Sequence, residues 1–153
     1  MTEDAGRSLY RLTDDGESAG CVVSTRTEFY QSPEDGDWYW RALARVRGQA
    51  GAPRDEGVSV IVSRSSEGYE SRAGAERGAV ATLRAMLDLV LLSDWSRPVI
   101  MARDGERWTV RSPHNREELA VGVKPSTYHH QARQEIALTV RALTRWVTER
   151  RSE

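Results

Sequence analysis

The sequence predicts an α+β protein made of two pseudo-repeated units, each a small antiparallel β-sheet of about three strands packed on one amphipathic helix. Three observations lead there. Strand-like segments cluster around Asp-Gly turns twice along the chain, each cluster runs into a long stretch of helical period, and pieces of the first cluster recur in the second.

Taken in order, residues 1–27 form an N-terminal tail that could close an extra β-hairpin, Ser8–Thr13 against Gly20–Thr25, around Asp15-Gly16. Thr27–Gln31 reads as a strand, Pro33–Gly36 as a turn and Trp38–Val46 as a second strand. Trp38, Trp40 and Ala42 share one face of that strand; Tyr39, Arg41 and Leu43 share the other. Residues 47–57, rich in Gly and Ala with Pro53, read as a loop, and Val58–Arg64 as a β-branched strand. Ser71 is placed to cap a helix from Arg72 to about Leu92, where Val80, Leu83, Leu87 and Val90 form an apolar stripe widened by Ala79 and Met86. Pro98 prevents its continuation. Val99–Arg103, Arg107–Ser112 and Glu118–Val123 then read as strands. A last helix, capped by Ser126 or Thr127, runs to about Arg150 on Ala132, Ile136, Val140, Leu143 and Val147.

The recurrence divides the chain into a first repeat at 28–93 and a degenerate second one at 98–150. Asp35-Gly36 and Trp38-Tyr39-Trp40-Arg41 find counterparts in Asp104-Gly105 and Trp108-Thr109-Val110-Arg111. Tyr69 corresponds to Tyr128. Val80, Leu83, Met86 and Leu87 correspond to Val140, Leu143, Trp146 and Val147 at a constant offset of 60. Arg41 to Tyr69 spans 28 positions and Arg111 to Tyr128 spans 17; the difference of 11 equals the length of the 47–57 loop, which is therefore read as an insertion.

Phe29-Tyr30, Asp35-Gly36, Trp40-Arg41 with Leu43, Ile61, and Ser66-Glu67-Gly68-Tyr69 followed by Ser71 together resemble the YegP-like small domains of unknown function. Ala75 and Gly78 also fit. The resemblance covers residues 28 to about 90 and implies a three-stranded antiparallel sheet with one helix, used as tandem repeats or dimers. It implies no activity.

Composition narrows the chemistry. A formal charge of −1 and a pI near 6.3 argue against bulk polyanion binding, although Lys124 is the only lysine beside 21 arginines. One cysteine, Cys21, excludes an intrachain disulfide and a cysteine zinc site, so a cytoplasmic protein is expected. The acidic start Met-Thr-Glu-Asp is no secretory signal, and the longest apolar run is too short for a membrane span. His129 and His130 diverge around a helix and do not form a metal pair. No catalytic or nucleotide motif is present, so neither catalysis nor a cofactor is expected.

The expected function is a non-catalytic binding or assembly module acting through self-association or a protein partner. A nucleic-acid binder using Arg41, Arg45, Arg47 and the neighbouring aromatics is the alternative. The candidate interaction surface comprises Trp38, Tyr39, Trp40, Arg41, Arg45, Arg47, Arg54 and Tyr69.

Overall fold

The computed structural model describes residues 9–11, 19–48, 58–92, 99–100, 107–112, 117–123 and 129–152. Among these the elements run β1 (Leu9–Arg11), β2 (Ala19–Gln31), β3 (Trp38–Gly48), β4 (Val58–Ser65), α1 (Arg72–Leu92), β5 (Val99–Ile100), β6 (Thr109–Arg111), β7 (Glu118–Gly122) and α2 (His129–Ser152). The strands form one antiparallel sheet in the order β1-β2-β3-β4-β7-β6-β5. The fold is therefore α+β: α1 follows the four-stranded meander β1–β4, and α2 follows the three strands β5–β7.

The small sheets expected of the two units are joined edge to edge into one continuous sheet, where Ser63, Arg64 and Ser65 of β4 pair with Gly122, Val121 and Ala120 of β7. Nor does each helix keep to its own strands. α1 passes over β2, β3, β6 and β7, while α2 packs across β2, β3 and β4 and against α1. Length explains this: a helix of 21 residues is ~32 Å long, whereas three strands are only ~14 Å across.

The N-terminal hairpin forms, with Leu9 opposite Cys21, but it is not a separate attachment. The strands expected over Gly20–Thr25 and Thr27–Gln31 are one strand of 13 residues, kinked by an extra residue at Val23. Nothing between them breaks a strand: Ser24, Thr25, Arg26 and Thr27 all tolerate extended backbone. The boundary at residue 27 thus falls inside β2. Similarly, β3 continues past Val46 to Gly48, so Arg47 belongs to the sheet; residues 49–57 lie outside the described residues.

The core lies between the sheet and the helix layer. Trp40, Ala42, Ala44 and Val46 of β3 face it, with Val62, Trp108, Val110 and Ala120. The apolar stripe of α1 is centred on Ala75, Ala79, Leu83 and Met86, while Val80 is only half-buried. Small residues bring α1 close to Tyr69. A Cβ on Gly78 would collide with the Tyr69 phenol, and one on Gly74 would sit 3.3 Å from Tyr69 Cβ. Ser71 caps this helix as expected: the Gly74 N–H donates to Ser71 Oγ at 3.0 Å.

Under α2 the floor is built from small residues, Ser63, Ser65, Ala120 and Gly122. Trp108 occupies the space over Gly122. Its Nε1–H donates to the buried Glu135 carboxylate at 2.9 Å, and Ser63 Oγ is hydrogen-bonded to Thr139 Oγ1 at 2.6 Å, Thr139 in turn donating to the Glu135 carbonyl. Replacing glycine by alanine inside a helix ordinarily stabilises by ~1 kcal/mol. At Gly78 the sign reverses: Gly78→Ala is expected to cost ~1–3 kcal/mol through overpacking against Tyr69, read as a lower urea midpoint at constant m-value.

Candidate binding face of the sheet

Residues paired across an antiparallel sheet share a face, so register assigns the side away from the helices. Trp40, Ala42, Ala44 and Val46 are core; Tyr39, Arg41, Leu43, Arg45 and Arg47 therefore point the other way. Their partners on β2 are Tyr30, Glu28, Arg26, Ser24 and Cys21. On β4, Arg64 stands opposite Arg41, Ile61 opposite Leu43 and Ser59 opposite Arg45. Arg64 is followed across the sheet by Val121 and Thr109. One lateral row thus reads Glu28, Arg41, Arg64, Val121, Thr109. No described helix packs on this side.

The face is cationic. Among the described strand residues Arg26, Arg41, Arg45, Arg47, Arg64 and Arg111 lie on it against Glu28 and Glu118, a surplus of four positive charges, while the formal net charge of the chain is −1. Glu28 is the organising carboxylate. Arg41 Nε and Nη2 each lie 2.9 Å from its Oε1, and Arg26 Nη2 lies 2.9 Å from its Oε2. Partial burial by itself would raise the Glu28 carboxyl, but the hydrogen bonds and charges of Arg41 and Arg26 outweigh it and hold the group below the ordinary 4.5. Among the described residues Arg64 has neither an ion pair nor a hydrogen bond to its side chain.

The tyrosine end is set by the β2–β3 turn. Gly36 adopts φ 75°, a left-handed conformation that glycine takes without a Cβ clash. The Ser32 N–H donates to the Asp37 carbonyl at 2.8 Å, and the Asp37 N–H donates to Asp35 Oδ1 at 2.9 Å. This register stacks Tyr30 on Tyr39 with centroids 5.7 Å apart, and places the Arg41 guanidinium 4.7 Å from the Tyr30 ring centre. The Tyr39 hydroxyl donates to Asp35 Oδ2. That hydrogen bond pushes the Tyr39 phenol up to about 12 and lowers the Asp35 carboxyl.

Of the residues singled out in the sequence, the fold brings Tyr39, Arg41, Arg45 and Arg47 to this face. Trp40 is fully buried in the core and contributes no surface. Trp38 and Tyr69 bridge backbone to backbone at 2.7 and 2.8 Å, fixing the start of α1 to the sheet; burial pushes the Tyr69 phenol up. Arg54 lies outside the described residues. Sequence reasoning did not single out Arg26, Glu28, Tyr30, Arg64 and Arg111 as surface residues. The turn at Asp35-Gly36 carried the signal for Tyr30 and Glu28, since it fixes which β2 residues oppose β3.

Elsewhere, an open depression of about 460 Å³ runs along the outer side of α1 between Glu76, Arg77, Arg84 and Arg150. Among the described residues no group of three His, Cys, Asp or Glu is placed to hold a metal ion, and no helix is long and apolar enough to cross a membrane. No protein-family model matches the chain, and neither a curated protein nor a solved structure is significantly similar to it.

Two titrations check this geometry. Because the folded Glu28 carboxyl sits below 4.5, its contribution to stability is present above that pH and is lost as pH falls through the lower folded value. Arg41→Gln is expected to move the Glu28 carboxyl back toward 4.5, read from side-chain carboxyl NMR shifts. Asp35→Asn is expected to return Tyr39 from about 12 toward 10.0, read from the ring carbon shift during alkaline titration.

Proposed function

We propose that the protein is a non-catalytic binding and assembly module whose working surface is the uncovered face of the sheet, and that its partner there is negatively charged. The observation that carries this reading is the segregation of charge: among the described strand residues six arginines and two glutamates share one face, in a chain with no net positive charge. Like charges on neighbouring strands, such as Arg41 opposite Arg64, do not stabilise a sheet by themselves. Breadth favours a macromolecule over a small substrate, because the row from Glu28 to Thr109 crosses five strands. An isologous dimer through this face would set arginines against arginines. Self-association would then use another surface, such as a sheet edge.

We also infer that the chain is a duplicated unit of YegP-like type with a degenerate second copy. Three features support this. Each meander leads into a helix, the two meanders meet through antiparallel strands, and positions matched in sequence share an environment. Trp40 and Val110 are both buried in the core, while Arg41 and Arg111 are both on the open face. A single copy would expose β4 as an edge, and duplication covers it.

Chromatography on immobilised heparin tests the binding face. At pH 7.5 a chain of net charge −1 is retained only if its cations are concentrated. Wild type is expected to bind at low salt, and Arg41→Gln/Arg64→Gln to elute at clearly lower salt. Arg77→Gln/Arg84→Gln, which removes the same charge from α1, is expected to elute with wild type. Passage of wild type through the column without retention would defeat the reading.

A further inference from the structure

We propose that the uncovered sheet face is a platform for single-stranded nucleic acid, an inference that rests on reading this face as the binding surface. The argument begins with Arg41 and Arg64, which stand directly opposite each other on neighbouring strands. Side chains at such positions are in reach of one another, and two like charges there are unfavourable. Glu28 balances Arg41 from the β2 side, but Arg64 has no carboxylate among the described residues. A phosphate set between the two guanidiniums supplies the missing counter-charge, and arginine's planar fork suits its oxygens.

The arrangement repeats, which distinguishes a polyanion from a lone phosphate. Arg41, Arg45 and Arg47 lie on one face of β3; Arg45 and Arg47 are alternate residues ~7 Å apart, the scale of neighbouring phosphates in an extended strand, and Arg41 lies ~14 Å from Arg45 across Leu43. Cations therefore recur along β3 as well as across it. The turn at the tyrosine end carries Glu34, Asp35 and Asp37, so a bound backbone is repelled there and tracks toward Arg45 and Arg47.

Shape favours a single strand over a duplex. The described face is a sheet surface without a projecting helix or ribbon to enter a groove. Splayed bases need flat partners instead. The half-exposed stack of Tyr30 and Tyr39, 5.7 Å between ring centres, and the planar Arg41 guanidinium over Tyr30 put such flat groups beside the phosphate-binding pair.

The test is fluorescence anisotropy with the full chain and labelled oligothymidylate and oligouridylate, with a duplex of equal length and polyglutamate as comparisons. Single strands are expected to bind at about 50 mM salt and to weaken at least about tenfold by about 200 mM. Arg64→Gln is expected to lose about tenfold at low salt and Arg41→Gln/Arg64→Gln more, with Arg77→Gln unchanged. Removing Arg64 relieves a like-charge pair, so its thermal midpoint should hold or rise, which separates lost binding from lost folding. Polyglutamate binding without single-strand binding overturns this inference and leaves the anionic-partner reading standing. Binding of neither probe, with no heparin retention, overturns both. Equal or tighter binding of the duplex, or single-strand binding indifferent to Arg41 and Arg64, also overturns the inference.

Discussion

One extra residue in β4 determines what both sides of the sheet can do. Between Leu43–Ile61 and Ala42–Ser63 the register shifts by one, leaving Val62 as a bulge. Strict alternation from Val58 and Val60 through Val62 would carry Arg64 into the core beneath α2 and turn Ser63 and Ser65 outward. An unpaired guanidinium buried there would cost several kcal/mol. The bulge exchanges the two sets. Val62 stays buried, Ser63 and Ser65 enter the core side, and Arg64 emerges opposite Arg41. The seam between the two meanders and the cationic face thus have a common origin.

With serines turned inward, the centre of the sheet becomes a floor of small side chains, and the rest of the packing follows. Ser63 and Ser65 pair with Gly122 and Ala120, so Trp108 can lie over Gly122 and α2 can approach closely. Polar atoms brought into this space need partners. Ser63 finds Thr139, Ser65 Oγ accepts the Trp40 N–H at 3.2 Å, and Trp108 Nε1–H reaches Glu135. The Ser63–Thr139 bond joins β4 to α2 and ties the two halves together at their junction, while the Trp40–Ser65 and Trp108–Glu135 bonds brace each half beside it. Tyr69 does the corresponding work at the start of α1, where Gly74 and Gly78 leave room for its ring.

Local patterns made part of this legible. The Asp35-Gly36 turn and the alternation of Trp38 to Leu43 placed Trp40 and Arg41 on opposite sides, and the 3–4 spacing of apolar residues located both helices. A bulge is harder to read. Val-Ser-Val-Ile-Val-Ser-Arg-Ser contains an apparent conflict between Val62 and Arg64, but no local rule says which residue is the extra one. The union of two expected strands into β2, and the crossing of helices over both meanders, depend on long-range packing that periodicity does not encode. For the same reason Arg64 was visible as a residue but not as the neighbour of Arg41.

Charge was the other property that averaging concealed. Summed over the chain, acids and bases nearly cancel, which argued against a polyanion partner. The fold sorts them: of the outward positions of β3, Arg41, Arg45 and Arg47 add cations to one face while the intervening residues fill the core. Arginine suits this place because its aliphatic stem tolerates burial while its head stays in water. Leu43 illustrates the consequence. It is only 5% exposed yet stands outside the helix-side core, with Arg26 and Ile61 beside it in register and Arg41 and Arg45 next on its own face. A sheet face with no described helix over it can thus shelter an apolar centre under charged side chains. The same residues that let this side of the sheet face water also gather positive charge on it.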